Sequence, residues 1–134
     1  MNLPSGISEN SLTDLLLDAV CVVDAAGIFR FVSAAGERIF GYTPQEMTGR
    51  AVLDLVLPAD RERTRAAAAA VMDGRPHLDF ENRYVRKDGG IVHVMWSARW
   101  CEAEGVRVAV ARDVTQLKRT QAMQAAMYAI SEAA

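Results

Sequence analysis

Two cysteines and two histidines are the side chains of this sequence best suited to redox or metal chemistry. Cys21 stands in an apolar, strand-like run, which predicts a buried and inert thiol. Cys101 lies near a predicted strand end, where greater exposure leaves redox sensing open. The sequence contains no CxxC pair, and His77 and His93 do not have the spacing of zinc ligands. We therefore predict no metal site.

The charged residues Asp60, Arg61 and Glu62 stand together at the start of a predicted helix. We expect all three on a solvated helix face. No nucleophile, base and orienting group can be assembled from neighbouring motifs. The sequence therefore predicts that this domain is not itself an enzyme.

Composition and charge exclude several other classes of function. The chain has 134 residues, enough for one domain with short extensions. Its net charge is −2 and its basic residues are scattered, so nothing attracts it to nucleic acid or to an anionic membrane. No apolar run approaches the roughly 20 residues that span a bilayer, and the first ten residues do not resemble a signal peptide. We expect a cytoplasmic domain with reduced thiols.

The elements that position these residues begin with a predicted flexible leader at residues 1–10. An amphipathic helix follows, with an apolar stripe at Leu12, Leu15, Leu16 and Ala19. Two strand-like runs then flank the segment Asp24-Ala25-Ala26-Gly27. Because Gly27 suits a positive φ, these runs predict a β-hairpin.

Short helices are predicted after this hairpin, the first ending at Gly41 and the second beginning with Thr43 as N-cap. A longer helix starts near Pro58 and ends at Gly74. Three strands follow, and a last helix begins at Val114. This order predicts an α+β fold: a five-stranded antiparallel sheet with short helices on one face, an N-terminal amphipathic helix and a C-terminal exit helix.

Four short motifs, in this order and at these separations, resemble those of PAS domains of the sensor-box type in bacterial signalling proteins. They are the turn at residues 24–27, the segment GYTPQEMTGR at 41–50, RKDG at 86–89 and RDVT at 112–115. The resemblance covers about residues 12–118. It implies a PAS domain at residues 11–116 and an exit helix at 117–134 that leads to a further domain.

In the family, an Asp-x-Thr motif joins the last strand to an exit helix that couples to an output module. Here Asp113 can accept hydrogen bonds at the strand end and Thr115 can cap the helix, so a change in the sheet would move the helix. The same two residues also make an ordinary helix N-terminus, which needs no signalling. Leu117 is the first apolar position of the exit helix, whose spacing suits a coiled coil only in part. The resemblance implies a histidine kinase or a diguanylate cyclase as the parent protein.

The family forms a pocket between the sheet and the helices. Its pattern points Asn82 and Tyr84 inward, and strand alternation places Trp96 and Trp100 on the same face. The candidate ligand-binding residues are Asn82, Tyr84, Val94, Trp96, Trp100, Phe40 and Ala109. A buried Asn82 amide needs hydrogen-bond partners, which a ligand, water or a backbone group could supply. The aromatic residues Tyr84, Trp96 and Trp100 are more typical of ordinary core packing than of a platform for a cofactor.

The family's cofactors can be tested against the sequence. Relatives that form a flavin adduct carry Asn-Cys-Arg after the Gly-Arg of the second motif, whereas residues 51–53 are Ala-Val-Leu, so adduct photochemistry is excluded. Haem-binding relatives use a histidine on the longer helix, and residues 58–73 contain none, which disfavours haem. Nothing calls for non-covalent flavin. The cofactor stays unknown, with a small metabolite or no ligand as the expectation.

Two functions remain open. The first is a sensor in which an occupied pocket biases the sheet and the exit helix. The second is a ligand-free module for dimerisation and relay, in which Ile91, Met95 and the leader helix form a dimer surface or cover the sheet within one chain. We expect a homodimer. A cavity beside Asn82 would favour the sensor.

Overall fold

The computed structural model describes residues 17–75 and 77–133. The predicted leader and most of the predicted N-terminal helix, with its three leucines, lie outside these residues. The assignment of Ala19 to that helix is wrong, because Ala19 is the first residue of a strand. Its methyl group is fully buried, as the core face of a sheet requires.

Five antiparallel strands form one sheet, as the sequence predicts. They are β1 (Ala19–Asp24), β2 (Phe29–Val32), β3 (His77–Val85), β4 (Ile91–Cys101) and β5 (Val106–Asp113). The spatial order is β2-β1-β5-β4-β3, so the last strand lies at the centre of the sheet. Any movement of β5 must therefore be shared with the strands on both sides.

The helical elements between β2 and β3 are short, except for the last. They are α1 (Gly36–Phe40), α2 (Pro44–Met47), α3 (Val52–Leu55), a 3-10 turn (Pro58–Asp60) and α4 (Arg61–Met72). The exit helix α5 spans Thr115–Ala133. The predicted α+β architecture is thus confirmed for the described strands, the short helices and the exit helix.

Local sequence accounts for several of the element ends. Thr43 Oγ1 accepts a hydrogen bond from the Glu46 amide at 3.1 Å, and the Glu46 carboxylate accepts one from the Thr43 amide at 2.9 Å. This reciprocal capping box starts α2. Gly41 ends α1 with φ of 76°, and an added Cβ would lie 3.2 Å from the amide nitrogen of Lys87. Glycine is therefore needed there for both its φ and its small size.

The core lies between the sheet and the helices and is aromatic at its centre. The ring of Phe40 is 5.0 Å from that of Tyr84 and 6.2 Å from that of Trp96. Tyr84 and Trp96 come from neighbouring strands, whereas Phe40 comes from α1. These three rings fix the distance between α1 and the sheet, and the side chains beside them surround a cavity.

Candidate functional site

A cavity of about 50 Å³ lies between α4 and the inner face of the sheet. Most of its walls are apolar. Its lining comprises Val23, Phe29, Val52, Thr64, Ala67, Ala68, Val71, Phe80, Asn82, Tyr84, Trp96, Ala98, Arg107 and Ala109. A dry cavity of about 150 Å³ accommodates benzene. The present space therefore suits a few waters or a molecule smaller than benzene.

Asn82 is at the centre of the polar part of this wall. It is almost fully buried. Its Nδ2 donates to Thr64 Oγ1 at 3.1 Å, and its Oδ1 accepts from Trp96 Nε1 at 2.9 Å. Thr64 Oγ1 in turn donates to the carbonyl of Asp60 at 2.8 Å. The amide is thus satisfied by side chains, a solution that differs from the ligand, water or backbone partners expected from the sequence.

Tyr84 follows Asn82 on the same face of β3 and is buried with it. Burial raises the pKa of Tyr84, and hydrogen bonding from the Asn82 side chain opposes this only in part. Its hydroxyl therefore stays neutral at physiological pH. A neutral phenol can donate a hydrogen bond to a ligand, and it cannot repel an anion.

The structure brings four of the seven candidate ligand-binding residues to the cavity: Asn82, Tyr84, Trp96 and Ala109. Val94 and Phe40 are buried in the core but do not line it. Trp100 stands near the end of β4, where its Nε1 donates to Glu102 Oε2 at 3.2 Å. The indole thus bonds to a residue of the turn after β4, and Trp100 is not among the residues that line the cavity. Ligand binding by any of the seven stays a prediction.

The opposite wall is one face of α4. Thr64, Ala67, Ala68 and Val71 recur at helical spacing, and the two alanines leave room that larger side chains would fill. The helix is held to β3 by Asp60, which is 3% exposed. The prediction of a solvated Asp60 is wrong, because its carboxylate accepts from Arg83 Nη2 at 2.7 Å and from Arg83 Nε at 3.0 Å.

This ion pair also has an electrostatic signature. Hydrogen bonding from Arg83 lowers the pKa of Asp60 below its ordinary value, against the opposing effect of burial. The Arg83 backbone amide is a further donor to the same carboxylate, at 2.8 Å. The start of α4 and the middle of β3 are therefore linked by three charge-assisted hydrogen bonds.

Arg107 is a cavity residue that the sequence analysis missed. It lies on β5, opposite Val23 of β1 and Trp100 of β4, and is half-buried. A signal was present, because residue 107 has the same strand parity as the predicted inward residues Ala109 and Ala111. The long charged side chain obscured this parity.

The joint between sheet and exit helix is built from three consecutive residues. Asp113 Oδ1 accepts from the Thr115 amide at 2.9 Å, and Thr115 Oγ1 accepts from the His93 amide at 3.0 Å. The Val114 amide donates to the His93 carbonyl at 2.9 Å. Asp113 thus takes the capping role expected of Thr115, whose hydroxyl binds β4 instead. Leu117, on the first turn, is 50% exposed.

The described residues contain no cluster of three or more His, Cys, Asp or Glu side chains that could hold a metal ion. Within residues 17–75 and 77–133, no helix has the length and apolar character needed to cross a bilayer.

Both cysteines are free thiols, and burial raises the pKa of Cys21 to about 12. At neutral pH the Cys21 thiolate is therefore negligible.

Sequence relatives agree with this architecture. A family model described as the PAS fold matches residues 29–111, more than half of the chain. The sensor protein FixL of Bradyrhizobium diazoefficiens is 30% identical over 118 residues. That match covers 84% of this chain but 23% of FixL. The chain thus spans about a quarter of the length of this curated relative.

Solved structures share the fold. A domain of a sensory box sensor histidine kinase/response regulator from Geobacter sulfurreducens superposes with a TM-score of 0.67 at 25% identity, covering 77% of this chain and 89% of that one. The PAS domain of the quorum-sensing receptor RpfR from Cronobacter turicensis, in complex with BDSF, gives 0.64 at 17% identity. That match covers 75% of this chain and 96% of that one, and supports the fold alone. Fold, sheet order and family model together establish that this chain belongs to the PAS family of sensory domains.

Proposed function

We propose that this domain senses a small molecule in the cavity beside Asn82 and transmits its presence through β5 to the exit helix. The observation that carries the proposal is the cavity itself. It is bounded by α4 on one side and by the central strand β5 on the other, through Arg107 and Ala109. An occupant would therefore contact the strand that continues into α5.

The path from cavity to helix is short. Ala109 is four residues before Asp113, and β5 is paired with β4 along this whole stretch and with β1 as far as Ala111. The hydrogen bonds of Asp113 and Thr115 then fix the first turn of α5 against β4. Lys118 adds an ion pair to Glu81 of β3 at 2.6 Å. A shift between strands would change the direction in which α5 leaves the sheet.

The exit helix offers an apolar surface to whatever receives the signal. Met123, Met127 and Ile130 are 66%, 63% and 72% exposed and recur at helical spacing. We propose that this surface packs in a homodimer or against an output domain in the same chain. A histidine kinase or diguanylate cyclase output is the proposed parent, acting in the cytoplasm, and the PAS domain itself is the non-catalytic input.

A ligand-free relay module is the second candidate. It is favoured by the Asn82 amide, which already has partners for both of its polar atoms, and by the small volume of the cavity. In this case the cavity is a packing defect, and partner binding at α5 replaces the ligand as the signal.

Mass spectrometry of the purified domain separates the two candidates. Native and denaturing spectra are compared on one sample, together with an ultraviolet–visible scan. We expect a stoichiometric small mass that is released on denaturation. A dimer without excess mass, which also takes up no small molecule from a cell extract, would contradict the sensor and favour the relay.

Transmission of the signal from the sheet to α5 is tested by removing the hydroxyl group of Thr115. In Thr115→Ala the amide of His93 loses its acceptor, so hydrogen exchange at residues 114–118 should accelerate while β1 is unchanged. Thr120→Ala, at an exposed position of α5, is the matched control. A small molecule that binds the domain is then added to each variant. If it changes hydrogen exchange at residues 114–118 equally in both, the hydrogen bond of Thr115 is not part of the path from the cavity to α5.

A further inference from the structure

Arg107 brings a positive charge to the wall of a mostly apolar cavity. Two other arginines of the described strands form ion pairs: Arg30 pairs with Asp24 at 2.6 Å, and Arg83 pairs with Asp60 at 2.7 Å. Within residues 17–75 and 77–133, the Arg107 side chain forms neither an ion pair nor a hydrogen bond. It is nevertheless half-buried and lines the cavity.

The groups around Arg107 do not neutralise it. Asp24 attracts the Arg107 guanidinium electrostatically but forms no hydrogen bond with it. The Asp24 carboxylate is bound instead by Arg30 at 2.6 Å and by the amides of Ala26 and Ile28. Cys21 and Tyr84 are neutral at physiological pH, since burial raises the pKa of each. Burial also lowers the pKa of Arg107 itself, although a guanidinium remains charged at neutral pH.

A half-buried cation without a partner is costly to the fold, and an anion from outside the chain would remove that cost. The planar guanidinium matches a carboxylate, with which it forms two parallel hydrogen bonds. The rest of the lining includes Val71, Ala68 and Phe80, which favour an apolar group next to the anion. An inorganic anion has no such group.

We propose that the ligand of this domain is a short-chain carboxylic acid, bound as its carboxylate by Arg107 with its alkyl group against the alanine face of α4. The proposal rests on the sensory function proposed above. The volume of about 50 Å³ is well below the roughly 150 Å³ that holds benzene. The alkyl group therefore has only a few carbon atoms unless α4 moves.

Propionate and propionamide are a matched pair of probes, because they share size and shape, are smaller than benzene and differ in charge. Each is titrated into the 134-residue chain while the indole N–H signals of Trp96 and Trp100 are followed by NMR. Trp96 lines the cavity and Trp100 does not. We expect propionate to shift the Trp96 signal saturably at millimolar concentration, and propionamide to bind roughly tenfold or more weakly.

Three variants locate the charge. Arg107→Met keeps the length of the side chain and removes the cation, so propionate affinity should fall roughly tenfold or more. Arg107→Lys keeps the charge but not the planar fork and should retain part of the affinity. Arg99→Met, at an exposed position of β4, should bind as the unaltered chain does. The comparison of the two probes needs no variant, so it stands if Arg107→Met fails to fold.

The outcomes also separate this inference from the proposed function. Equal binding of propionate and propionamide would overturn the carboxylate inference and leave a ligand-binding cavity. Binding of propionate that Arg107→Met does not weaken would overturn the role of Arg107. If neither probe shifts Trp96 and the purified domain releases no small mass, both the inference and the sensory function fail.

Discussion

The hydrogen bond from Trp96 to Asn82 makes replacement of Asn82 a quantitative test of the cavity wall. In Asn82→Leu the amide is lost, while the number and branching of the side-chain heavy atoms are kept. Trp96 Nε1 then loses its acceptor at 2.9 Å, whereas Thr64 Oγ1 still donates to the Asp60 carbonyl at 2.8 Å. The Trp96 indole is thus a buried donor left without a partner, and Tyr84 also loses its hydrogen bond with the Asn82 side chain.

An unsatisfied buried donor costs about 1–3 kcal/mol, so Asn82→Leu should lower the free energy of unfolding by that amount. In a Trp96→Phe background the same substitution leaves no indole N–H without an acceptor, because the phenylalanine side chain has no N–H group. Its cost there should be smaller by about 1 kcal/mol or more. This difference between backgrounds is the coupling energy of the bond.

Urea denaturation of the four proteins, followed by circular dichroism, measures this coupling. The indole N–H signal of Trp96 gives a second readout, since it should move when the acceptor is removed. If Asn82→Leu costs the same in both backgrounds, the bond does not stabilise the wall and the reasoning is refuted. A stabilising Asn82→Leu would refute it as well.

Three further predictions concern the supports of the site. Asp60→Asn should lower the free energy of unfolding at pH 7 by about 1.5–3 kcal/mol relative to the exposed control Asp54→Asn, because charge-assisted bonds to Arg83 are lost. The pKa of Asp60 in the folded protein lies below its ordinary value of about 3.9, so the stability that Asp60 adds over the Asp60→Asn variant is complete above that pH and disappears as the pH falls through the folded pKa. Urea titrations of both proteins at several pH values test this. A stability difference independent of pH would contradict it. Thr43→Ala should cost about 1 kcal/mol through the lost capping box, while Thr120→Ala should cost less, and equal thermal midpoints would argue against the cap. Cys21, with a pKa of about 12, should react with a thiol reagent at pH 8 only as fast as the domain unfolds; fast labelling of the native protein, located by peptide mass, would show that the thiol is accessible.

The local features of this protein could be predicted from the sequence because they depend on neighbouring residues. The turn at residues 24–27 closes with the Gly27 amide donating to Asp24, and Gly27 has φ of 82°. The capping box at Thr43 and the glycine at the end of α1 are equally local. The resemblance to PAS domains, which selects one of the two faces of an alternating strand, also predicted correctly that Asn82 and Tyr84 are buried. The turn and the helix ends follow from backbone sterics and local hydrogen bonds, and the burial follows from the alternation of side chains between the two faces of a strand.

The partners across the cavity were decided only by the tertiary structure. Asn82 meets Thr64 and Trp96, which are 18 and 14 residues away, and Asp60 meets Arg83 over 23 residues. Strand parity shows which face a side chain occupies, but not which helix packs there or at what distance. Whether a charged residue such as Arg107 is paired, and how much space α4 leaves beside it, depends on how all the elements close around the core.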